Sequence, residues 1–161
     1  MPFDVNRTAP AVAEQRTVIE APRERVWLVL TQIDSWPRWQ KSVSRAHLEG
    51  ALQPGSEFRW KTAGMSIAST LRLVEPPNRI GWDGHAPGIY ARHLWTLESG
   101  DRGMIVRAAE SFEGRLVRLL RPLMQKQLQK GLDEGRIRVE GGRGGLGVTL
   151  FATPLAASPA A

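Results

Sequence analysis

Six segments in which polar and apolar residues alternate, each ended by a short turn, place the strongest constraint on the fold of this chain. The turns are marked by clusters of Pro, Gly, Asn and Asp, for example at residues 53–55, 75–78 and 99–101. They delimit predicted strands over residues 43–49, 57–62, 65–74, 79–84, 89–97 and 103–112. Because consecutive strands joined by short turns run antiparallel, the sequence predicts a curved antiparallel sheet.

A further strand and two short helices are predicted upstream of these six strands. Residues 16–20 alternate in the manner of a strand, and Pro22 then opens a short helix at the position where its missing N–H costs nothing. A second short helix begins at Trp36 or Pro37. The predicted sheet therefore has seven strands, with both helices between the first strand and the second.

A long amphipathic helix is predicted over residues 113–140. Its apolar face carries Leu116, Leu120, Met124, Leu128 and Leu132, and Arg and Lys fill the other faces. Pro122 predicts a bend, while Gly131 and Gly135 each cost roughly 1 kcal/mol relative to Ala in a helix interior. The missing side chains fit either a helix that frays toward its end or a helix kept thin to leave room beneath it.

These patterns divide the chain into three parts. Residues 1–14 are predicted to form a flexible lead, residues 15–140 one α+β domain, and residues 141–161 a disordered tail rich in Gly, Ala and Pro. In that domain the sheet is predicted to wrap around the long C-terminal helix.

One charged residue in each strand predicts which face of the sheet is solvated, because side chains alternate across a strand. Arg72, Asp83, Arg92 and Arg107 are assigned to the outer face. The turn positions are expected to set Trp60 opposite Ile67, Trp82 opposite Leu71, Trp95 opposite Val106 and Ala91 opposite Glu110. The predicted inner face carries Phe58, Trp60, Ile67, Ser69, Leu71, Leu73, Ile80, Trp82, Gly84, Ala91, His93, Trp95, Leu97, Met104, Val106, Ala108, Glu110 and Phe112.

Two residues of this inner face, His93 and Glu110, do not belong in a plain apolar core. The predicted register makes them diagonal neighbours, within reach of a hydrogen bond or ion pair. They either satisfy each other, with Glu110 near water, or form the polar floor of a ligand pocket and are then candidate catalytic residues. The predicted ligand-binding set is Trp60, Ile67, Ser69, Leu71, Trp82, Ala91, His93, Trp95, Ala108 and Glu110 on the sheet, with Leu120, Met124, Leu128 and Gly131 on the helix.

Composition and charge exclude several classes of function. The chain has no cysteine, which excludes disulfides and thiolate chemistry, and its three histidines lack the spacing of metal ligands, so neither a metal nor a cofactor is predicted. The net charge of +6 is scattered along the chain and no nucleic-acid-binding motif is present, so nucleic acid is not an expected partner. Weak contact with anionic membranes remains open, and without a signal peptide or a membrane span the expected location is the cytoplasm.

Several short motifs resemble those of one superfamily over roughly residues 15–140. They are Ile19-Glu20-Ala21-Pro22, Val26-Trp27, Trp36-Pro37-Arg38-Trp39, Pro54-Gly55 with Phe58, Glu75-Pro76-Pro77-Asn78-Arg79-Ile80 before Trp82, His93-Leu94-Trp95, and Glu110-Ser111-Phe112-Glu113-Gly114. In order and spacing they resemble the START-like SRPBCC superfamily, closest to its polyketide cyclase/dehydrase group. The resemblance implies a helix-grip fold with a cavity between the sheet and the C-terminal helix for a hydrophobic small molecule such as a lipid, polyketide, sterol or quinone.

Three functional hypotheses follow. The first is a protein that binds or carries an apolar ligand, because the inner face offers tryptophans and few polar groups. The alternative is a cyclase or dehydratase-like enzyme in which His93 acts as general acid or base and Glu110 holds its tautomer. The third is a stress-related or chaperone-partner module that acts through its surface.

Overall fold

The computed structural model describes residues 2–40, 42–115 and 117, and every strand in this part of the chain belongs to one antiparallel sheet. The strands are β1 (Ala11–Ile19), β2 (Val43–Leu48), β3 (Glu57–Thr62), β4 (Met65–Glu75), β5 (Arg79–Ala86), β6 (Ile89–Gly100) and β7 (Gly103–Glu113). Helices α1 (Arg23–Thr31) and α2 (Trp36–Trp39) follow β1, with one 3-10 turn over Ile33–Ser35 between them. The order across the sheet is β1-β7-β6-β5-β4-β3-β2, which confirms the predicted seven-stranded fold.

The two short helices pack on one face of the sheet, which we call the inner face. Buried residues of α2 and the 3-10 turn join a cluster made of Ile33, Trp36, Val43, Ala46, Phe58, Leu71, Ile80 and Trp82. Buried residues of α1 join a second cluster made of Ile19, Val26, Leu30, Leu97, Met104 and Val106. The helices therefore cover β2 to β5 and one end of β6 and β7.

Most of the predicted facing of the side chains is confirmed. The predicted pairs of Trp60 with Ile67 and of Trp82 with Leu71 are present in the register. On the opposite, outer face Arg72 Nε donates to Asp83 Oδ2 at 2.5 Å. Charged side chains thus identified correctly which residues of these strands face outward.

Leu73 is an exception, because β4 contains a bulge. The register with β5 shifts between Leu71 and Leu73, so that Leu71 opposes Trp82 whereas Leu73 opposes Gly81. A bulge adds one residue to a strand and sends the next side chain to the other face. Leu73 packs against the outer-face cluster of Val5, Leu94 and Ala109, so its predicted inward position is wrong.

The turn between β6 and β7 is centred one residue later than predicted. Gly100 pairs with Gly103, which leaves residues 101–102 as a two-residue turn. The observed pairs are Trp95 with Ala108, His93 with Glu110 and Ala91 with Phe112, in place of the predicted Trp95 with Val106 and Ala91 with Glu110. The partner of each residue is shifted by two positions, which keeps every side chain on its face. The predicted facing is therefore correct, although the predicted partners are wrong.

The chain before β1 lies on the outer face of the sheet. Val5 is 5% exposed and packs with Leu94 and Ala109. The backbone N–H of Asn6 donates to Ser111 Oγ at 3.0 Å. Instead of starting at residue 16 as predicted, β1 starts at Ala11 and pairs residue by residue with β7.

The predicted C-terminal helix and the tail fall outside the described residues, apart from its first residues and the buried Val117. Four predicted ligand-binding residues lie in that part of the chain: Leu120, Met124, Leu128 and Gly131. In the part that the structure describes, no helix combines the length and the apolar character needed to cross a bilayer.

Candidate functional site

A row of five side chains crosses the inner face from β1 to β4. The register sets Ala13 opposite Glu110, Glu110 opposite His93, His93 opposite Trp82, and Trp82 opposite Leu71. Directly opposed residues of antiparallel strands share a face and touch. His93 and Glu110 are therefore direct neighbours rather than the predicted diagonal pair.

His93 lies among aromatic rings. Its imidazole stacks on Trp82 with ring centroids 5.0 Å apart and an interplanar angle of 10°. Trp60 and Phe112 present their rings nearly at right angles to it, each with centroids 6.1 Å away. Because His93 is also only 5% exposed, these rings fix the position of the imidazole.

The imidazole faces the carboxylate of Glu110. His93 Nδ1 lies 3.3 Å from Glu110 Oε1, and 30% of the Glu110 side chain is exposed. Burial raises the pKa of Glu110, whereas the charge of His93 and the hydrogen bond from its ring lower it. Together the two lowering effects outweigh burial, so the pKa lies below the ordinary value of 4.5. Glu110 is therefore ionised at neutral pH and accepts hydrogen bonds without donating them.

Four alanines lie near this carboxylate on the inner face. The register places Ala13 and His93 on either side of Glu110, with Ala11, Phe112 and Ala91 in one adjacent row and Gln15, Ala108 and Trp95 in the other. Glu110 and these four alanines, namely Ala11, Ala13, Ala91 and Ala108, are called the Glu110 patch below. The two clusters that the helices cover include none of these five residues.

The other half of the inner face is filled by aromatic side chains around Trp36. Trp36 is 1% exposed, and its indole N–H donates to the carbonyl oxygen of Leu30 at 2.9 Å. Its ring centroid lies between 5.6 and 5.8 Å from those of Phe58, Trp60, Trp82 and Trp95. This half of the sheet is therefore a packed core, and the Glu110 patch lies beside it.

The sequence of this chain matches one family model over most of its length. Residues 10–140 match the family described as polyketide cyclase / dehydrase and lipid transport. The chain belongs to this family. The START-like SRPBCC resemblance predicted from the short motifs is thereby confirmed, and the family is one of ligand-binding and cyclase proteins.

Solved structures similar to this family member support the same fold. The hypothetical protein jhp0584 from Helicobacter pylori aligns with a TM-score of 0.66 at 17% identity, over 77% of this chain and 84% of that one. TTHA0849 from Thermus thermophilus aligns at 0.62 and 20% identity, over 77% and 95% of the two chains. StfQ, a di-domain ARO/CYC protein of the steffimycin biosynthetic pathway, aligns at 0.62 and 14% identity, over 76% of this chain and 45% of that one. No curated protein matches the chain in sequence.

In this family member the ten predicted sheet residues of the site fall into three groups. Leu71, Ser69 and Trp82 are at most 3% exposed and belong to the packed half of the inner face. The residues at or beside the Glu110 patch are Ala91, His93, Trp95, Ala108 and Glu110, and those toward the β3–β4 hairpin are Trp60 and Ile67. The structure therefore places five predicted residues at or beside the patch. Of the other five, Trp82 and Trp60 also lie against His93, with ring centroids 5.0 and 6.1 Å from that of the imidazole.

Sequence reasoning missed two alanines near Glu110 and the central position of Trp36 in the aromatic core. Ala11 and Ala13 lie on a part of β1 that was predicted to be flexible, and Trp36 was recognised as a possible helix start and as part of a family motif. The alternation of small residues with Val12 and Glu14 was the available signal for the earlier start of β1. No pattern in the sequence indicates that the Trp36 ring packs among four other aromatic rings.

The described residues offer no candidate metal site. Within residues 2–40, 42–115 and 117, no group of three or more His, Cys, Asp or Glu side chains converges as metal ligands would. His47 of the edge strand β2 pairs with Asp34 at 2.7 Å, and His85 lies beside the Tyr90 ring. The inner pair of His93 and Glu110 thus lies apart from the other two histidines, among aromatic and small apolar side chains.

Proposed function

We propose that this protein binds an apolar small molecule against the inner face of β1, β6 and β7, over the Glu110 patch. The observation that carries the proposal is the set of four alanines around one ionised carboxylate. Neighbouring rows of the same face hold Trp, Phe and Leu side chains. Because alanine is shorter than these side chains, we infer a recess at the patch, and an apolar molecule that fills the recess would remove its own surface from water.

The walls of this recess favour a molecule with flat apolar surfaces. Trp95 and Phe112 oppose Ala108 and Ala91, and Trp82 stacks on His93 at the inner end. Aromatic side chains bury large areas and pack favourably against rings or chains. The family description, which names both polyketide chemistry and lipid transport, agrees with a ligand of this kind.

Filling the recess tests the proposal. Ala108→Phe places a ring in the Glu110 patch, and we expect the affinity for the neutral apolar dye N-phenyl-1-naphthylamine to fall at least about tenfold, because the ring occupies the binding volume. The readout is dye fluorescence on titration, together with native mass spectrometry and organic extraction of the purified protein. The matched control is Ala68→Phe, which adds the same ring to an exposed position of β4 on the outer face and should leave dye affinity unchanged.

Two results would contradict ligand binding at the patch. One is a wild-type protein that neither binds the dye nor yields an extractable small molecule. The other is an equal loss of affinity in both alanine variants, since that would place the dye elsewhere or reflect a general loss of structure.

The geometry of His93 and Glu110 supports a second function, acid–base catalysis of the cyclase or dehydratase type. A carboxylate held 3.3 Å from the imidazole nitrogen orients the ring and favours one tautomer. The imidazole could then remove a proton from carbon next to a ligand carbonyl. The resulting carbanion would attack a second carbonyl, and the alkoxide would take the proton back before water is lost.

Proton exchange at carbon tests this second function without knowledge of the substrate. With 1-tetralone in deuterium oxide, we expect the wild-type protein to accelerate replacement of the hydrogens next to the carbonyl, as followed by proton NMR. His93→Ala and Glu110→Gln should each remove the acceleration while each variant still binds the dye. A wild-type protein without acceleration, or variants that retain it, would contradict catalysis by this pair.

A further inference from the structure

We propose that the ligand of the Glu110 patch is a neutral molecule that carries a hydroxyl or phenol group as a hydrogen-bond donor, and that ligands with a carboxylate are rejected. This inference rests on the proposed function, because it specifies which apolar molecules the same site accepts. It depends on three properties of the site: the acceptor character of Glu110, the shortage of cations among the described residues of the inner face, and the small side chains near the exposed part of the carboxylate.

The first property is the free accepting capacity of Glu110. Among the described residues, the structure gives this carboxylate one polar partner, Nδ1 of His93, which faces Oε1. An ionised carboxylate has two oxygens and about four lone-pair directions, all of them acceptors. With 30% of the side chain exposed, the group can accept a hydrogen bond from a ligand that lies over the patch.

The second property is the distribution of positive charge. Arg72, Arg92 and Arg107 lie on the outer face, and the register places Arg16 there as well, opposite Arg107. On the inner face of the described strands, His93 is the group that could carry positive charge, and it already pairs with Glu110. A ligand carboxylate at the patch would therefore meet a like charge with no cation among the described residues to offset it.

The third property is the apolar surrounding of the carboxylate. The four alanines and Phe112 have no polar group on their side chains, so among these neighbours the N–H donors are those of the His93 and Trp95 rings. A donor on the ligand consequently gains a charge-assisted hydrogen bond, whereas an apolar ligand without a donor leaves the carboxylate partly desolvated and unpaired.

Three ligands with the same fused ring test the inference directly: naphthalene, 2-naphthol and 2-naphthoic acid. At about pH 7 the naphthol is neutral and the naphthoic acid is ionised, in line with ordinary phenol and carboxyl values. Affinities are measured by isothermal titration calorimetry on the full chain. We expect 2-naphthol to bind about tenfold more tightly than naphthalene, and 2-naphthoate to bind at least about tenfold more weakly than naphthalene.

The variant Glu110→Gln tests whether Glu110 causes the preference for 2-naphthol and the rejection of 2-naphthoate. The amide keeps the size of the side chain and makes the site more positive by one charge, whatever the charge on His93. The advantage of 2-naphthol over naphthalene should therefore shrink, and 2-naphthoate should gain at least about tenfold relative to 2-naphthol. Glu57→Gln makes the same change at an exposed position of β3 on the outer face and should preserve all three ratios.

The outcomes separate this inference from the proposed function. Equal binding of the three ligands, tightest binding of 2-naphthoate, or ratios unchanged in Glu110→Gln would overturn the inference while apolar binding stands. Failure of all three ligands to bind would overturn the proposed function and the inference with it.

Discussion

Glu110 lies between His93 and four alanine side chains, and its ionisation contributes to folding as well as to the proposed binding. The carboxylate is held ionised by the imidazole, although burial alone would favour its protonated form. Removing the partner charge would leave a partly buried carboxylate without compensation. His93 and Glu110 therefore form a structural unit before any ligand binds.

This unit predicts a pH dependence of stability. Because the pKa of Glu110 in the folded protein lies below its value of about 4.5 in the unfolded chain, its stabilisation is fully present above that value. The stabilisation is lost as the pH falls through the lower folded pKa. Urea unfolding of wild type and Glu110→Gln should therefore differ most near neutral pH and converge in acid.

The control for this comparison is Glu57→Gln, which alters an exposed carboxylate of β3 on the outer face. Its unfolding midpoint should follow that of wild type across the same pH range. A difference between wild type and Glu110→Gln that grows as the pH falls would contradict the assigned direction of the shift.

At the scale of strands, residues that lie between turns of defined chemistry were predicted well. The cluster at residues 75–78 and the glycines around residue 100 mark hairpins because Pro and Gly adopt turn conformations that strands exclude. Alternation then fixed the facing of Trp60, Trp82 and His93 from the charges beside them. For these strands, the conformational preferences of the turn residues and the alternation of side chains were sufficient to predict the facing.

Two features of the strands could not be predicted, because they depend on neighbours distant in the sequence. The bulge that turns Leu73 outward is set by the pairing of β4 with β5, and alternation within β4 alone does not mark it. The strand β1 begins at Ala11 because β7 offers partners as far as Phe112, although Ala itself favours strands weakly. Two of the four alanines of the Glu110 patch were missed for this reason.

The chain before β1 provides a prediction at this scale. Val5 is buried against Leu94 and Ala109 on the outer face, so Val5→Ala should destabilise the fold by about 1–2 kcal/mol through lost burial and a residual cavity. Val12→Ala is the matched control, because Val12 is 38% exposed in β1 and its truncation should cost less than about 0.5 kcal/mol. Urea unfolding of the three proteins measures both effects.

If Val5→Ala proves no more costly than Val12→Ala, the segment before β1 does not pack on the sheet in solution. The sequence predicted a flexible lead over residues 1–14, so this comparison also distinguishes that prediction from the packed arrangement. Loss of folding in Val5→Ala alone would instead indicate a contribution larger than one buried side chain provides.

For the molecule as a whole, the two faces of the sheet carry different sets of residues. The outer face carries the paired arginines and the packed chain before β1, whereas the inner face carries the helix-covered aromatic core and the Glu110 patch. The family and the helix-grip class could be inferred from the order of short motifs, because that order reflects the topology. The extent of the site could not be inferred from the sequence, because aromatic residues of the inner face form the same pattern whether they fill a core or border a recess.

The most direct test of the central claim is the position of a bound apolar molecule relative to the alanine methyl groups. In protein with carbon-13-labelled alanine methyls and saturating N-phenyl-1-naphthylamine, we expect intermolecular nuclear Overhauser effects to Ala13, Ala91 and Ala108 of the Glu110 patch. Contacts confined to Ala68 and Ala109, which lie on the outer face, would contradict binding at the inner face of β1, β6 and β7.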